Sequence, residues 1–209
     1  ARIPFGSEGI EPQYAKSRDA RLTEPLPYYQ AILRALARLA ASHKSGRWSD
    51  AIAQHFPLDL DVVAGRDPIP YSDSELRARI GEYRAFASRC PALVPAAIRS
   101  PEFLARLEDE APLFLEHEDA VRRLLQSAPG MIALCHWNAN IDNAWFWRDG
   151  TGTLQCGLFD WGHVAQLNLA GVIWNCLFPA PLEIWSDHLD DLISVFVDAY
   201  HADGGPTIE

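Results

Sequence analysis

The chain has 209 residues, of which 48% are hydrophobic and 22% are charged, and this composition predicts a packed globular protein rather than a disordered one. Its formal net charge of −10 argues against a general nucleic-acid or anionic-membrane partner, because both need a basic protein surface. No hydrophobic run approaches the length of about 18 residues that a membrane-spanning helix needs. We therefore expect neither a nucleic-acid partner nor a membrane partner.

The first third of the chain changes from irregular to helical. Prolines and glycines without a period predict irregular structure over residues 1–27. From Tyr28 the hydrophobic residues recur with a helical period, which predicts an amphipathic helix that ends near Gly46. A short helix is predicted over residues 49–55, and the prolines and aspartates of residues 57–71 predict a loop.

The middle of the chain carries two helix-start signals. Ser72 and Glu75 have the spacing of a capping box, which predicts that a helix begins there. Ser100 followed by Pro101 is a second start, with serine as the cap and proline in the first turn. A separate, longer helix is predicted over residues 112–126.

The last third contains the expected strands. Its short apolar runs flank a turn signal, Asp149-Gly-Thr-Gly152, which predicts a β-hairpin. Strands are predicted at residues 144–147 and 154–159, and helices at residues 169–178 and 186–200. The fold class expected from this pattern is α+β, mostly α-helical with one small, late β-hairpin.

The cysteines and tryptophans are expected to be structural. None of the four cysteines forms a CxxC pair, so we expect reduced, buried thiols in a cytoplasmic protein. A zinc site built from cysteine and histidine is disfavoured because the spacing fits no common zinc pattern. Most of the tryptophans are expected in the core or at an interface between lobes.

Polar residues cluster around the predicted hairpin. A polar segment from His136 to Asn143 precedes the hairpin, and Asp160 follows its second strand. A carboxamide and a carboxylate that converge across a hairpin can hold a divalent cation. Mg²⁺ suits such a site, because it is held by few protein oxygens together with water and substrate phosphates.

The spacing His136-x-Asn138-x4-Asn143, followed by Phe-Asp160-Trp-Gly, resembles the catalytic and metal loops of the aminoglycoside phosphotransferase and choline kinase-like family. These proteins are small-molecule relatives of the protein kinases. The resemblance implies that residues 28–209 form the helical C-terminal lobe of a protein-kinase-like fold. Residues 1–27 would then be the hinge or linker after an N-terminal lobe that lies upstream.

The resemblance also implies a role for each matching residue. His136 corresponds to the structural histidine of the loop, and Asn138 stands at the usual position of the catalytic base. Asn143 and Asp160 correspond to the metal-binding and cofactor-binding residues. The implied cofactors are ATP and Mg²⁺, and the implied partner is an acceptor molecule that the sequence does not identify.

Three positions depart from the family pattern. The catalytic aspartate is replaced by Asn138, whose amide cannot accept a proton as a carboxylate can. The second loop histidine falls at Asn140, and an aspartate that anchors the loop from the following helix falls at Gly171. No glycine-rich nucleotide loop is visible, and since residue 1 is alanine we expect further sequence upstream.

Three functions therefore remain open at this point. The first is phosphate transfer from ATP to a small-molecule hydroxyl. The second is a catalytically inactive pseudokinase that binds a protein partner as a scaffold. The third is a helical domain of unrelated function in which the motif arose by chance.

Overall fold

The computed structural model describes residues 19, 22–48, 54–64 and 68–208. It has an α+β fold and divides into two compact units. The first comprises residues 1–63 and 128–209, and the second comprises residues 64–127. Within the described ranges, no helix has both the length and the apolar composition needed to cross a bilayer.

The helices and strands follow the chain in this order: α1 (Leu26–Lys44), α2 (Leu60–Val63), α3 (Asp73–Arg89), α4 (Pro101–Ser127), β1 (Ile132–His136), β2 (Ala144–Arg148), β3 (Leu154–Leu158), β4 (Val164–Asn168), α5 (Leu169–Leu177), α6 (Leu182–Asp187) and α7 (Leu189–Ala202). Short 3₁₀ turns at Ile141–Asn143 and Trp161–His163 lie between the strands.

Helix α1 forms the centre of the core in the first unit. The side chains of Ile32, Leu33 and Leu36 on this helix have no exposed surface. They belong to one hydrophobic cluster with Leu192 and Phe196 of α7. The predicted amphipathic helix is confirmed, and it begins at Leu26, two residues earlier than expected.

Two antiparallel strand pairs build the β part of the first unit. Strand β1 pairs with β4, with Ile132 opposite Asn168 and His136 opposite Val164. Strands β2 and β3 form the predicted hairpin. In its turn, hydrogen bonds from the hydroxyl and backbone N–H of Thr151 lower the pKa of Asp149 to about 2. Strand β4 was not predicted.

Helices α3 and α4 are the main elements of the second unit. The capping box at the start of α3 is present as predicted, because Oγ of Ser72 accepts from the backbone N–H of Glu75, and Oε2 of Glu75 accepts from the N–H of Ser72. The two helices predicted after Ser100 form a single helix, α4, with Pro112 inside it. One proline removes one backbone donor, and good helix formers on both sides allow the helix to continue.

The late helix is interrupted where the sequence predicted continuity. Helix α6 ends at Asp187 and α7 begins at Leu189, with His188 between them in a non-helical conformation. Ser186 does not cap α7, because its hydroxyl donates to the carboxylate of Asp187 instead. Most of the helix predicted at residues 49–55, and most of the linker predicted at residues 1–27, lies outside the described residues.

Candidate functional site

The β2–β3 hairpin brings the two polar segments of the sequence together. Asn143 immediately precedes β2, and Phe159 immediately follows β3. The backbone N–H of Phe159 donates to the carbonyl oxygen of Asn143 at 3.0 Å, so the hydrogen-bonded ladder extends past the ends of both strands. The structure thus holds the backbone of Asn143 beside the residue that precedes Asp160.

His136 connects these two segments. It is the last residue of β1, and its side chain is buried. Its Nδ1 accepts a hydrogen bond from the backbone N–H of Asn138 at 3.2 Å. The other ring nitrogen, Nε2, therefore carries the hydrogen and donates to the carbonyl oxygen of Phe159 at 2.9 Å. The ring of Trp161 meets the imidazole edge-on, with 4.8 Å between the ring centroids.

The carboxamide of Asn143 has a fixed orientation. Its Nδ2 donates to the backbone carbonyl oxygen of Asn138 at 2.8 Å, and the side chain is buried. Because the amide nitrogen faces that carbonyl, Oδ1 faces away from it. Oδ1 is therefore the end of the carboxamide that could face a cation, because an amide oxygen can only accept.

Asp160 has an unusual backbone conformation. With φ 64° and ψ 58°, it is the one described non-glycine residue in the left-handed region. This conformation ends β3 and opens the turn Trp161–His163, where the indole N–H of Trp161 donates to the carbonyl of Leu158 at 3.1 Å. The side chain of Asp160 is exposed to solvent. Strained backbone at an exposed carboxylate is more frequent at binding sites than elsewhere.

Asn138 stands at the expected base position but presents an amide. Its Oδ1 accepts from Nδ2 of Asn140 at 2.7 Å, so the free end of the carboxamide is Nδ2, which can only donate. Oδ1 of Asn140 is buried and receives no hydrogen bond from the described residues. Asn138 can therefore orient a bound oxygen but cannot remove its proton.

Three aromatic rings form a row beside the site. The indoles of Trp145 and Trp147 are nearly parallel, with centroids 6.3 Å apart, and the ring of Phe159 lies in the same way against Trp145. Trp145 lies across Gly157 on the paired strand, where an added Cβ would be only 2.1 Å from the indole. This surface was not predicted, although two tryptophans that are two positions apart on a predicted strand lie on the same face of that strand.

The part of the expectation that places most tryptophans in the core is wrong, because none of the seven is buried. The side chains of Trp137, Trp147 and Trp161 are 40%, 39% and 43% exposed. Trp137 lies in the loop after β1, Trp147 lies near the end of β2, and Trp161 directly follows Asp160. Trp137 and Trp161 therefore place exposed indoles in the segments that carry Asn138 and Asp160.

The donor set suits a weakly held Mg²⁺ better than a transition metal. Among the described residues there is no group of three or more His, Cys, Asp or Glu side chains that could hold a metal ion. Asn143 and Asp160 would supply only two oxygen atoms. Two protein oxygens fit Mg²⁺ that also binds water and substrate phosphates.

The helix that follows β4 supplies no anchoring carboxylate to the loop. Gly171 lies in α5, and a Cβ added there would have no atom within 4 Å. The helix therefore has room for the aspartate that the family pattern places at this position. Its absence reflects the sequence of this chain rather than a steric restriction.

The cysteines are free thiols, as the sequence predicted, but only two of the four are buried. Cys135 and Cys176 are buried, and burial raises the pKa of both well above the usual value. Burial also raises the pKa of Cys156 to about 12. These thiols stay protonated at neutral pH, so they do not serve as nucleophiles.

No family model, curated protein or solved structure matches the chain. The kinase-like resemblance thus remains a prediction from the two loop motifs. The contacts of His136, Asn143 and Asp160 are the observations on which a function can be argued.

Proposed function

We propose that this protein transfers a phosphoryl group from ATP to a hydroxyl of a small molecule, with Mg²⁺ as cofactor, within the helical C-terminal lobe of a protein-kinase-like fold. The observation that carries the proposal is the arrangement of Asn143 and Asp160 around one hairpin. The first has a buried carboxamide whose nitrogen is fixed by a hydrogen bond to the carbonyl of Asn138, and the second has an exposed carboxylate on left-handed backbone.

The metal would be held jointly by protein and nucleotide. Oδ1 of Asn143 and the carboxylate of Asp160 would bind Mg²⁺, and the phosphates of ATP and water would complete its coordination. When bound, Mg²⁺ would neutralise negative charge on the phosphate oxygens. Phosphoryl transfer depends mainly on such positioning and charge stabilisation, which a site of this composition can provide.

His136 would act by position rather than by proton transfer. Both ring nitrogens are occupied by backbone groups of Asn138 and Phe159. The ring therefore fixes the loop that carries Asn138 and Asn143 relative to the segment that carries Asp160. It has no free nitrogen with which to act as an acid or a base.

The row of aromatic rings supports a nucleotide as the ligand. Trp145, Trp147 and Phe159 are near-parallel and lie on the hairpin that ends at the metal ligands. Stacking of a base on an aromatic side chain contributes about 1–3 kcal/mol. ATP carries both a planar base, which could stack on these rings, and phosphates, which could bind the metal.

Asn138 would donate a hydrogen bond from Nδ2 to the acceptor hydroxyl or to a phosphate oxygen. Without a carboxylate, the transfer would lack general-base catalysis, which contributes roughly 10²–10⁴-fold to the rate. We therefore expect a slow enzyme.

Calorimetric titration of MgATP into the purified protein tests the metal assignment. Binding should require Mg²⁺ and should be lost in Asp160→Ala. Asp198→Ala is the matched control, because Asp198 is an exposed carboxylate on α7. Undiminished MgATP binding by Asp160→Ala would contradict the assignment of Asp160 as a metal ligand.

The second candidate is a pseudokinase that serves as a binding or scaffold module for a protein partner. The amide at Asn138 is the specific observation that favours it, because a carboxylate is missing where the reaction would use one. Asn138→Asp separates the two candidates. A gain of about 100-fold or more in phosphate transfer would support an enzyme, since a restored base acts only in an otherwise complete site. No transfer by either form would support the pseudokinase.

Four free thiols and a requirement for ATP both favour the cytoplasm as the location of either candidate. Fractionation of cells that express the tagged protein tests this assignment, and the protein should be recovered in the cytoplasmic fraction.

A further inference from the structure

The first unit contains an apolar cavity that is distinct from the candidate loop. It lies among α5, α6 and α7 and has a volume of about 270 Å³. Leu169 and Phe196 are among the lining residues that are fully buried. Trp174 and Ile193 are among those at the rim, and they are 52% and 39% exposed. The cavity therefore combines a closed, buried part with an opening to solvent.

This cavity lies at the opposite end of the β1–β4 pair from the candidate site. Its lining includes Met131, which precedes β1, and Leu169, which follows β4. The candidate loop begins at His136, opposite Val164, at the other end of the same ladder. Four residue steps along a strand span about 13 Å, so a molecule in this cavity would not touch the loop.

The lining excludes charged and strongly polar ligands. Every lining side chain is aliphatic, aromatic or a thioether, and none carries a formal charge. A charged group would lose its hydration in such a cavity without gaining a partner. A peptide main chain is excluded for the same reason, since its N–H and C=O groups would remain unpaired.

The volume sets the size of the occupant. An apolar protein cavity of about 150 Å³ stays dry and accepts one benzene molecule. A cavity of about 270 Å³ can therefore accept a larger hydrocarbon, of the size of two fused aromatic rings. The indoles of Trp174 and Trp185 offer such a ring partners for stacking or edge-on contact.

We propose that this cavity is a ligand site for one small, uncharged, apolar molecule, such as a planar aromatic or a compact hydrocarbon. The site is independent of the candidate loop and of the function proposed for it. Its lining residues belong to α5, α6 and α7 and to the segments that precede β1 and follow α7.

Calorimetric titration with naphthalene tests the proposal, with intrinsic tryptophan fluorescence as a second readout. We expect saturable binding at one site per chain. Ala170→Phe places a large ring at the opening of the cavity, because Ala170 is an exposed lining residue at the start of α5. This variant should weaken binding by at least about tenfold, equivalent to roughly 1.4 kcal/mol.

Ala202→Phe is the matched control, because Ala202 is an exposed residue at the end of α7 that does not line the cavity. It should leave naphthalene binding unchanged. Ile193→Glu is a second test that does not rely on an added ring: it adds a charge at the exposed rim and should also weaken binding. Circular dichroism establishes that each variant is folded.

Three outcomes would overturn the proposal. The first is the absence of saturable naphthalene binding, and the second is equal binding by Ala170→Phe and Ala202→Phe. The third is a concentration-dependent dimer in sedimentation velocity that Ala170→Phe converts to monomer, since the occupant would then be a second copy of the chain.

Discussion

The imidazole Nε2 of His136 lies 2.9 Å from the carbonyl oxygen of Phe159, and this hydrogen bond joins two segments that are 23 positions apart in the chain. Phe159 is held twice, because its backbone N–H also donates to the carbonyl of Asn143. Phe159 is therefore hydrogen-bonded to His136 and to Asn143, which lie at the two ends of the loop that follows β1. These two hydrogen bonds couple the backbone of the loop that carries Asn143 to the residue before Asp160.

Replacing His136 by alanine should destabilise the fold. The change removes the hydrogen bonds of His136 to the carbonyl of Phe159 and to the N–H of Asn138, together with the edge-on contact with Trp161. We expect the free energy of unfolding to fall by about 2–4 kcal/mol in urea denaturation. His163→Ala is the matched control: His163 is exposed, so its replacement should change stability by less than about 0.5 kcal/mol. Equal effects of the two changes would show that His136 does not hold the loop.

Local signals in the sequence predicted the elements that local interactions stabilise. The capping box of Ser72 and Glu75 predicted the start of α3, and the turn at Asp149–Gly152 predicted the β2–β3 hairpin. Strand β4 was missed because its conformation depends on pairing with β1, whose residues lie about 30 positions earlier. Non-local pairing leaves little trace in a short stretch of sequence.

The sequence predicted which residues of the candidate site lie together but not how their side chains are oriented. The spacing of His136, Asn143 and Asp160 indicated that they belong together, and the hairpin brings their backbones together. The left-handed conformation of Asp160 and the hydrogen bond that turns Nδ2 of Asn138 outward depend on atomic contacts. Residue spacing does not reveal such contacts.

A methyl group at Gly157 should disturb the aromatic row. A Cβ there would approach the Trp145 indole to 2.1 Å, so the indole would have to leave its position across the strand. We expect Gly157→Ala to lower the free energy of unfolding by about 1–3 kcal/mol in urea denaturation. Near-ultraviolet circular dichroism should report the loss of ring stacking between Trp145 and Phe159.

A double-mutant cycle separates this clash from other effects of adding a methyl group to a strand. In the Trp145→Leu background, Gly157→Ala should cost much less, because the shorter side chain leaves room for the methyl group. Gly150→Ala is the control, since a Cβ added in the hairpin turn at Gly150 has no atom within 4 Å. A cost at Gly157 that is the same in both backgrounds would contradict the steric explanation.

The buried carboxyl of Asp19 should make stability depend on pH. Its side chain is 3% exposed and accepts a hydrogen bond from the hydroxyl of Tyr29 at 2.5 Å. Burial raises the pKa of Asp19, and the charge of Asp142 raises it further, whereas the hydrogen bond from Tyr29 opposes the rise. The folded protein therefore keeps this proton to a higher pH than the unfolded chain, in which the pKa of aspartate is about 3.9.

The sign of the effect follows from the raised pKa. Between about pH 4 and the folded-state pKa of Asp19, the folded state binds more protons than the unfolded state, so rising pH lowers stability. Asp19→Asn keeps an acceptor for Tyr29 without the ionisation. The stability of this variant relative to the wild type should increase across this window and then level off.

Urea denaturation from about pH 3 to about pH 8 measures the difference in stability between Asp19→Asn and the wild type. Asp198→Asn on the exposed face of α7 is the control, and a difference for Asp19→Asn that is constant with pH would refute the prediction.

The left-handed backbone of Asp160 allows fold and function to be tested separately. Alanine is disfavoured at φ 64°, so Asp160→Ala should be less stable than Asp160→Gly by about 1 kcal/mol. Asp160→Gly should stay within about 0.5 kcal/mol of the wild type, because relief of the backbone offsets the greater freedom of glycine in the unfolded chain. Urea denaturation measures both differences.

If the exposed carboxylate of Asp160 binds the metal, calorimetry should find MgATP binding lost in both variants, including the glycine variant with an intact fold. A glycine variant that keeps MgATP binding would exclude Asp160 as a ligand, and one that loses several kcal/mol of stability would show that the carboxylate serves the fold instead.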